Sequence, residues 1–142
     1  MSLSSSTWRL LGLSVAATYI GLGTFAISAP TTAAEGFGLY PTTTTTKSPS
    51  PSPHNTTPPQ ISGEIRASMR LLGARDLSIG LALGVLAWDF RLRETGTLIL
   101  SGMVLCAVDI VELFRRRGTG WAMASATGAA IWAGIGVGLI SF

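Results

Sequence analysis

The chain has 142 residues, of which only 12% are charged, about half the share found in soluble globular domains (about 25%). Apolar residues make up 47% with 17 glycines besides, mean hydropathy is +0.47, and there is one cysteine and one histidine. These figures exclude a disordered chain, an ordinary cytosolic enzyme and a disulfide- or zinc-stapled scaffold; the net charge of +3 without a long basic stripe points to lipid headgroups and not to nucleic acid.

The first element is a run of 25 uncharged residues, Leu10 to Ala34, preceded by Trp8-Arg9. At about 1.5 Å per residue a helix over 8–29 crosses a hydrocarbon core of about 30 Å. A cleaved signal peptide is the competing reading, but its apolar region is usually only about 7 to 15 residues. Pro30 should stop the helix, because it has no N–H to continue the ladder.

Between Pro41 and Pro59, six Pro, seven Thr and three Ser occupy 16 of 19 positions. Such a segment buries no core and reads as a low-complexity linker over 41–59. It contains His54, read as a solvated bystander, and Asn55-Thr56-Thr57, which matches the acceptor pattern for N-glycosylation at Asn55. Ile61 to Ser68 reads as a polar approach to the next span.

A second span is predicted over 69–90, carrying Arg75-Asp76 ahead of twelve uncharged residues. The third, over 96–114, is uncharged until Asp109 and Glu112 and is closed by Arg115-Arg116-Arg117-Gly118. The fourth, over 119–142, has no charge and many small residues. The expected fold is therefore an all-α membrane protein, a single domain of four transmembrane helices with a disordered first loop. The competing architecture, two spans with an interfacial hairpin, needs a broad polar face that the middle segments lack. The link 91–95 is short, so the second and third helices should be antiparallel neighbours.

That arrangement aligns the embedded charges. Arg75 is five residues into the second helix and Asp109 five residues from the end of the third, so both lie about 7 to 8 Å inside the same boundary. The candidate site is an intramembrane polar cluster of Arg75, Asp76, Asp109 and Glu112, with Ser125 and Thr127 of the fourth helix at similar depth. Ionisable residues inside a membrane are costly and suggest function, although an Arg75–Asp109 pair also serves simply to join two helices. One arginine cannot neutralise three acids, which suits the group to proton transfer. Cys106, one turn before Asp109, reads as a packing residue. Gly80-x-x-x-Gly84 and Gly134-x-Gly136-x-Gly138 offer small surfaces for close helix packing, Trp8, Trp88 and Trp121 fall at span ends as interfacial anchors, and Trp132 lies deep. No HExxH, GxSxG, P-loop or dinucleotide pattern is present, so no cofactor or metal is expected.

Orientation criteria conflict. Six Lys or Arg in the loops after helices one and three, against three on the other side, put those loops in the cytosol; the flanks of helix one, Arg9 and Glu35, together with Asn55, favour the reverse.

Pro30, Phe37-Gly38, Gly73-Ala74-Arg75-Asp76-Leu77, Gly80-Leu81 and Asp109 together resemble an uncharacterised family of small four-helix integral membrane proteins, fungal and bacterial, catalogued as a domain of unknown function. The segment 41–59 looks like an insertion relative to that pattern. The resemblance implies the four-span fold and the importance of Arg75, Asp76 and Asp109. Some fungal members look like parts of secondary-metabolite gene clusters, which implies a biosynthetic role by association and, if the chain is fungal, an endoplasmic-reticulum or other endomembrane location. The leading expectation is an auxiliary enzyme or accessory factor acting on an apolar polyketide or terpenoid by acid/base isomerisation or cyclisation. A non-enzymatic scaffold for biosynthetic enzymes and a small homo-oligomeric exporter are the alternatives.

Overall fold

A computed structural model describes residues 4–39 and 58–141, and the side chains of 4–39 and 63–141. Within them are five helices: α1 Ser5–Ser28, α2 Pro30–Gly36, α3 Pro58–Trp88, α4 Leu92–Arg117 and α5 Thr119–Ser141. There is no strand among the described residues. Four helices are long and apolar enough to cross a membrane, α3 from Gly63 onward, which makes this a multi-pass, all-α membrane bundle.

Local chemistry sets the breaks. The Ser4 hydroxyl caps α1 by accepting from the Thr7 amide at 3.3 Å. Pro30 ends α1, as expected, but then sits in the first turn of a second helix, a position where its missing N–H costs nothing. This short α2 is absent from the four-segment reading. Gly118 alone separates α4 from α5, at φ +83°, a conformation glycine adopts without strain. Residues 58–59 and 61–68, read above as linker and polar approach, belong to α3; proline is tolerated in a first turn, and the polar residues extend an already nucleated helix. The third span likewise takes in its charged flanks, from Leu92 to Arg117. Asn55 and most of the low-complexity segment lie outside the described residues.

Packing divides the bundle into pairs. The most extensive contacts join α1 to α3 and α4 to α5; α3 and α4, though consecutive and closely linked, meet less. The cause is the glycines. A Cβ on Gly23 would stand 2.6 Å from the Gly73 carbonyl oxygen, and one on Gly96 would stand 2.6 Å from that of Gly136, so these positions let backbone lie on backbone. Of the anticipated small-residue surfaces, Gly80 packs on Ile20 and Tyr19, Gly136 on Leu100, and Gly138 receives the Trp8 ring. Gly84 and Gly134 instead face outward, with nothing within 4 Å of the position a Cβ would take. Val15, Ala16, Tyr19, Leu83, Ile99 and Leu139 form the central core; Ala26, Ala33, Ala34 and Met69 form a second cluster beneath α2.

The outer surface carries Leu10, Phe25, Leu71, Leu81, Val104, Val108, Ile131 and Val137, all exposed, for which lipid is the matching solvent. Several helix hydroxyls are satisfied internally: Thr18, Thr24, Ser78, Thr97, Ser101 and Thr127 each donate to the carbonyl four residues earlier, at 2.7 to 2.9 Å. Thr95, fully buried, does the same to Arg91 at 2.8 Å.

Candidate functional site

The charged cluster forms where the two helix pairs meet. Gly73 sets the α1–α3 crossing, and Arg75 follows two residues later. The Arg75 guanidinium grips Asp76, with Nε donating to Oδ1 at 3.0 Å and a terminal nitrogen 2.9 Å from the same oxygen. Asp109, on α4, approaches that terminal nitrogen at 3.5 Å. Asp76 is the most enclosed of the three, with 13% of its side chain exposed against 32% for Arg75 and 40% for Asp109. Asp76 is thus held by its neighbour, while Asp109 retains open surface. Among the described residues the Nε contact is the hydrogen bond, and the terminal nitrogen holds both carboxylates at ion-pair distance.

Glu112 lines a cleft with Asp109 but is not paired with Arg75. Its carboxylate pairs with Arg116 at 3.2 Å and Arg115 at 3.6 Å on its own helix, because the arginines at i+3 and i+4 share its face. The ion-paired part of the cluster is therefore Arg75, Asp76 and Asp109. Asn55 lies outside the described residues.

Two apolar clefts adjoin this cluster, besides one of about 240 Å³ that Asp109 shares with Glu112 and Arg116. One, of about 280 Å³, is lined by Asp109, Cys106, Ile110, Gly128, Ala129 and Trp132 together with Leu22, Phe37, Leu113 and Ser125. The other, of about 250 Å³, shares those last four residues and is lined further by Asp76, Phe25, Leu72 and Trp121. Each is near the lower size limit of ligand pockets, about 300 Å³. Ser125 borders both clefts, with no hydrogen-bond partner for its hydroxyl among the described residues, unlike Thr127, which bonds to the Met123 carbonyl. Trp132 lines the first cleft and rests on Tyr19, ring centroids 4.9 Å apart. Cys106 also reaches the cleft, and its sulfur lies 4.0 Å from the Tyr19 hydroxyl. Among the described residues no three His, Cys, Asp or Glu side chains converge as metal ligands.

Phe37, just beyond α2, borders both clefts, a role that its place in the sequence does not announce. Its position depends on a long-range clamp: an Arg117 terminal nitrogen donates to the Glu35 carbonyl, while the guanidinium lies 4.9 Å from the Trp121 ring centroid. Gly38, at φ +71°, turns the chain closely past the Arg117 stem, and a Cβ there would stand 3.0 Å from Arg117 Cγ. No local sequence pattern signals a contact spanning about eighty residues.

No curated protein and no solved structure matches this chain. The model of a family described as a domain of unknown function, DUF4267, matches residues 16–139, a range that includes Arg75, Asp76, Asp109 and every residue that lines the clefts; the chain belongs to that family.

Proposed function

We propose that the protein is a membrane-embedded auxiliary enzyme that isomerises or cyclises an apolar, oxygen-bearing polyketide or terpenoid intermediate. The observation that carries this reading is the pair of apolar clefts that share Ser125 and expose Asp109 in one and Asp76 in the other. An ion pair that only joined helices would need no cavity on either side. The biosynthetic and endomembrane setting is supported by the family resemblance alone.

Acid/base chemistry follows from the donor set. The substrate's carbonyl oxygen takes a hydrogen bond from the Ser125 hydroxyl, which lines the same cleft as Asp109, while Arg75 acts from behind Asp109, 3.5 Å from its carboxylate. Asp109 removes a proton from the adjacent carbon; the C–H electron pair becomes the new C=C bond and the carbonyl π pair moves to the oxygen, where Arg75 offsets the charge. Asp109 then returns the proton at the conjugate carbon, so the double bond has moved with no oxidant, reductant or co-reactant consumed.

Asp109→Asn removes the base while keeping size and shape. Turnover is expected to fall about 10²- to 10⁴-fold with protein level unchanged, and metabolite profiling of cells carrying the variant should find the unreacted intermediate. Full conversion by Asp109→Asn overturns the enzymatic reading. Finished product trapped inside the cells would instead identify transport, and loss of flux only on deletion of the whole chain would identify a scaffold.

A further inference from the structure

At the opposite end of the bundle, α1 meets the link between α3 and α4. There the Arg9 guanidinium carbon lies 4.8 Å from the Trp88 ring centroid and 4.3 Å from that of Phe90. Phe90 holds φ +58°, a region disfavoured for any residue with a side chain, and this strained turn sets its ring over Arg9. Arg9 makes no ion pair among the described residues, and its Nε is buried without a hydrogen-bond partner. A half-buried cation against two aromatic rings, its Nε enclosed and unpartnered among the described residues, is placed for an anion.

The next residue along the link supplies the opposite charge. Asp89 is exposed and likewise unpaired among the described residues, whereas Arg91 and Glu94 close by satisfy each other at 3.1 Å. Arg9 thus lies against the Trp88 ring and Asp89 follows Trp88 in the chain, with no ion pair between the two charges among the described residues. Trp88 and Asp89 also border an open groove of about 310 Å³ on the bundle's outer face, continued along Ile20, Leu81 and Val85. Asp89 and the apolar residues line the groove itself, and Arg9 adjoins its Trp88 end through the indole ring.

We propose that this groove binds one zwitterionic phospholipid: its phosphate on Arg9, its ammonium group between Asp89 and the face of Trp88, and one acyl chain along Ile20, Leu81 and Val85. Phosphoethanolamine presents both charges on one short headgroup. An anionic lipid such as phosphatidylglycerol satisfies Arg9 but leaves Asp89 facing its negative charge. The proposal is independent of the chemistry assigned to Asp109.

The test uses the full chain in nanodiscs of equimolar phosphatidylethanolamine and phosphatidylglycerol, released into detergent and read by native mass spectrometry for retained lipid. The wild-type chain should retain phosphatidylethanolamine about threefold over phosphatidylglycerol, the discrimination expected of one interfacial charge contact. Asp89→Lys should invert that preference, and Arg9→Gln should release both lipids. Equal retention by the wild type, or an unchanged ratio in Asp89→Lys, overturns the site. Because Asp89 is an exposed link residue, its substitution keeps the test decisive even where Arg9→Gln fails to assemble.

Discussion

Gly23→Val should yield no monodisperse protein, and Gly23→Ala should be measurably less stable in detergent than the wild type. A methyl group at Gly23 would come within 2.6 Å of both the Gly73 carbonyl oxygen and the Leu77 amide nitrogen. Those are backbone atoms of the opposing helix, so no change of rotamer relieves the clash and the helices must part. Overpacking of this kind costs about 1 to 3 kcal/mol for small additions and more for larger ones. In a bilayer no hydrophobic drive pulls the helices back together, since lipid tails solvate the separated faces as well as the packed ones. Gly21→Ala is the control, because nothing lies within 4 Å of a methyl there. Thermal unfolding followed by size-exclusion chromatography distinguishes them. A wild-type profile for Gly23→Val would show that α1 and α3 do not cross at these glycines. The consequence reaches the site, since Arg75 and Asp76 ride on the same crossing.

Arg75→Leu should be the most damaging single change in the polar cluster. It leaves two carboxylates beside apolar clefts, one of them Asp76 with only 13% of its side chain exposed. Removing one partner of an enclosed ion pair costs about 3 to 5 kcal/mol; partial exposure of all three groups reduces the expected loss to about 2 to 3 kcal/mol. Arg75→Lys should recover only part of it, because an ammonium cannot reproduce the fork that reaches Asp76 through two nitrogens and Asp109 through one of them. The exchange Arg75→Asp with Asp109→Arg separates structure from chemistry. If the pair only joins α3 to α4, the exchange restores both protein level and activity; under the proposed reaction, level recovers at least in part while activity stays lost. Quantitative immunoblotting of membranes beside product analysis reads both outcomes.

Much of the cluster is legible in the chain itself. Arg75 and Asp109 fall at equal depth once two consecutive spans are taken as antiparallel, and the structure brings them to 3.5 Å. Glu112 looks equivalent in sequence, standing one turn from Asp109, yet depth along a helix says nothing of which neighbour is closer. Arg115 and Arg116 on its own face reach it first. Ser125 and Thr127 are indistinguishable by depth; only the helix rotation sends Ser125 to the clefts and lets Thr127 bond back to its own backbone. Phe37 and the Arg117 clamp carry no periodic signal, since they depend on a seven-residue helix folding back on the bundle.

Composition and hydropathy by themselves determined the solvent, the helical class and the number of spans, because burying backbone N–H and C=O groups in hydrocarbon leaves few alternatives to the helix. They also singled out Arg75, Asp76, Asp109 and Glu112, since charge inside an apolar run is rare enough to be conspicuous. Which helices pair, which glycines bear contact and where the clefts open were decided only in three dimensions. All four long helices are apolar nearly all round, so hydrophobicity does not choose a partner face; the choice rests on close van der Waals fit between backbones, and that fit exists only once the helices are side by side.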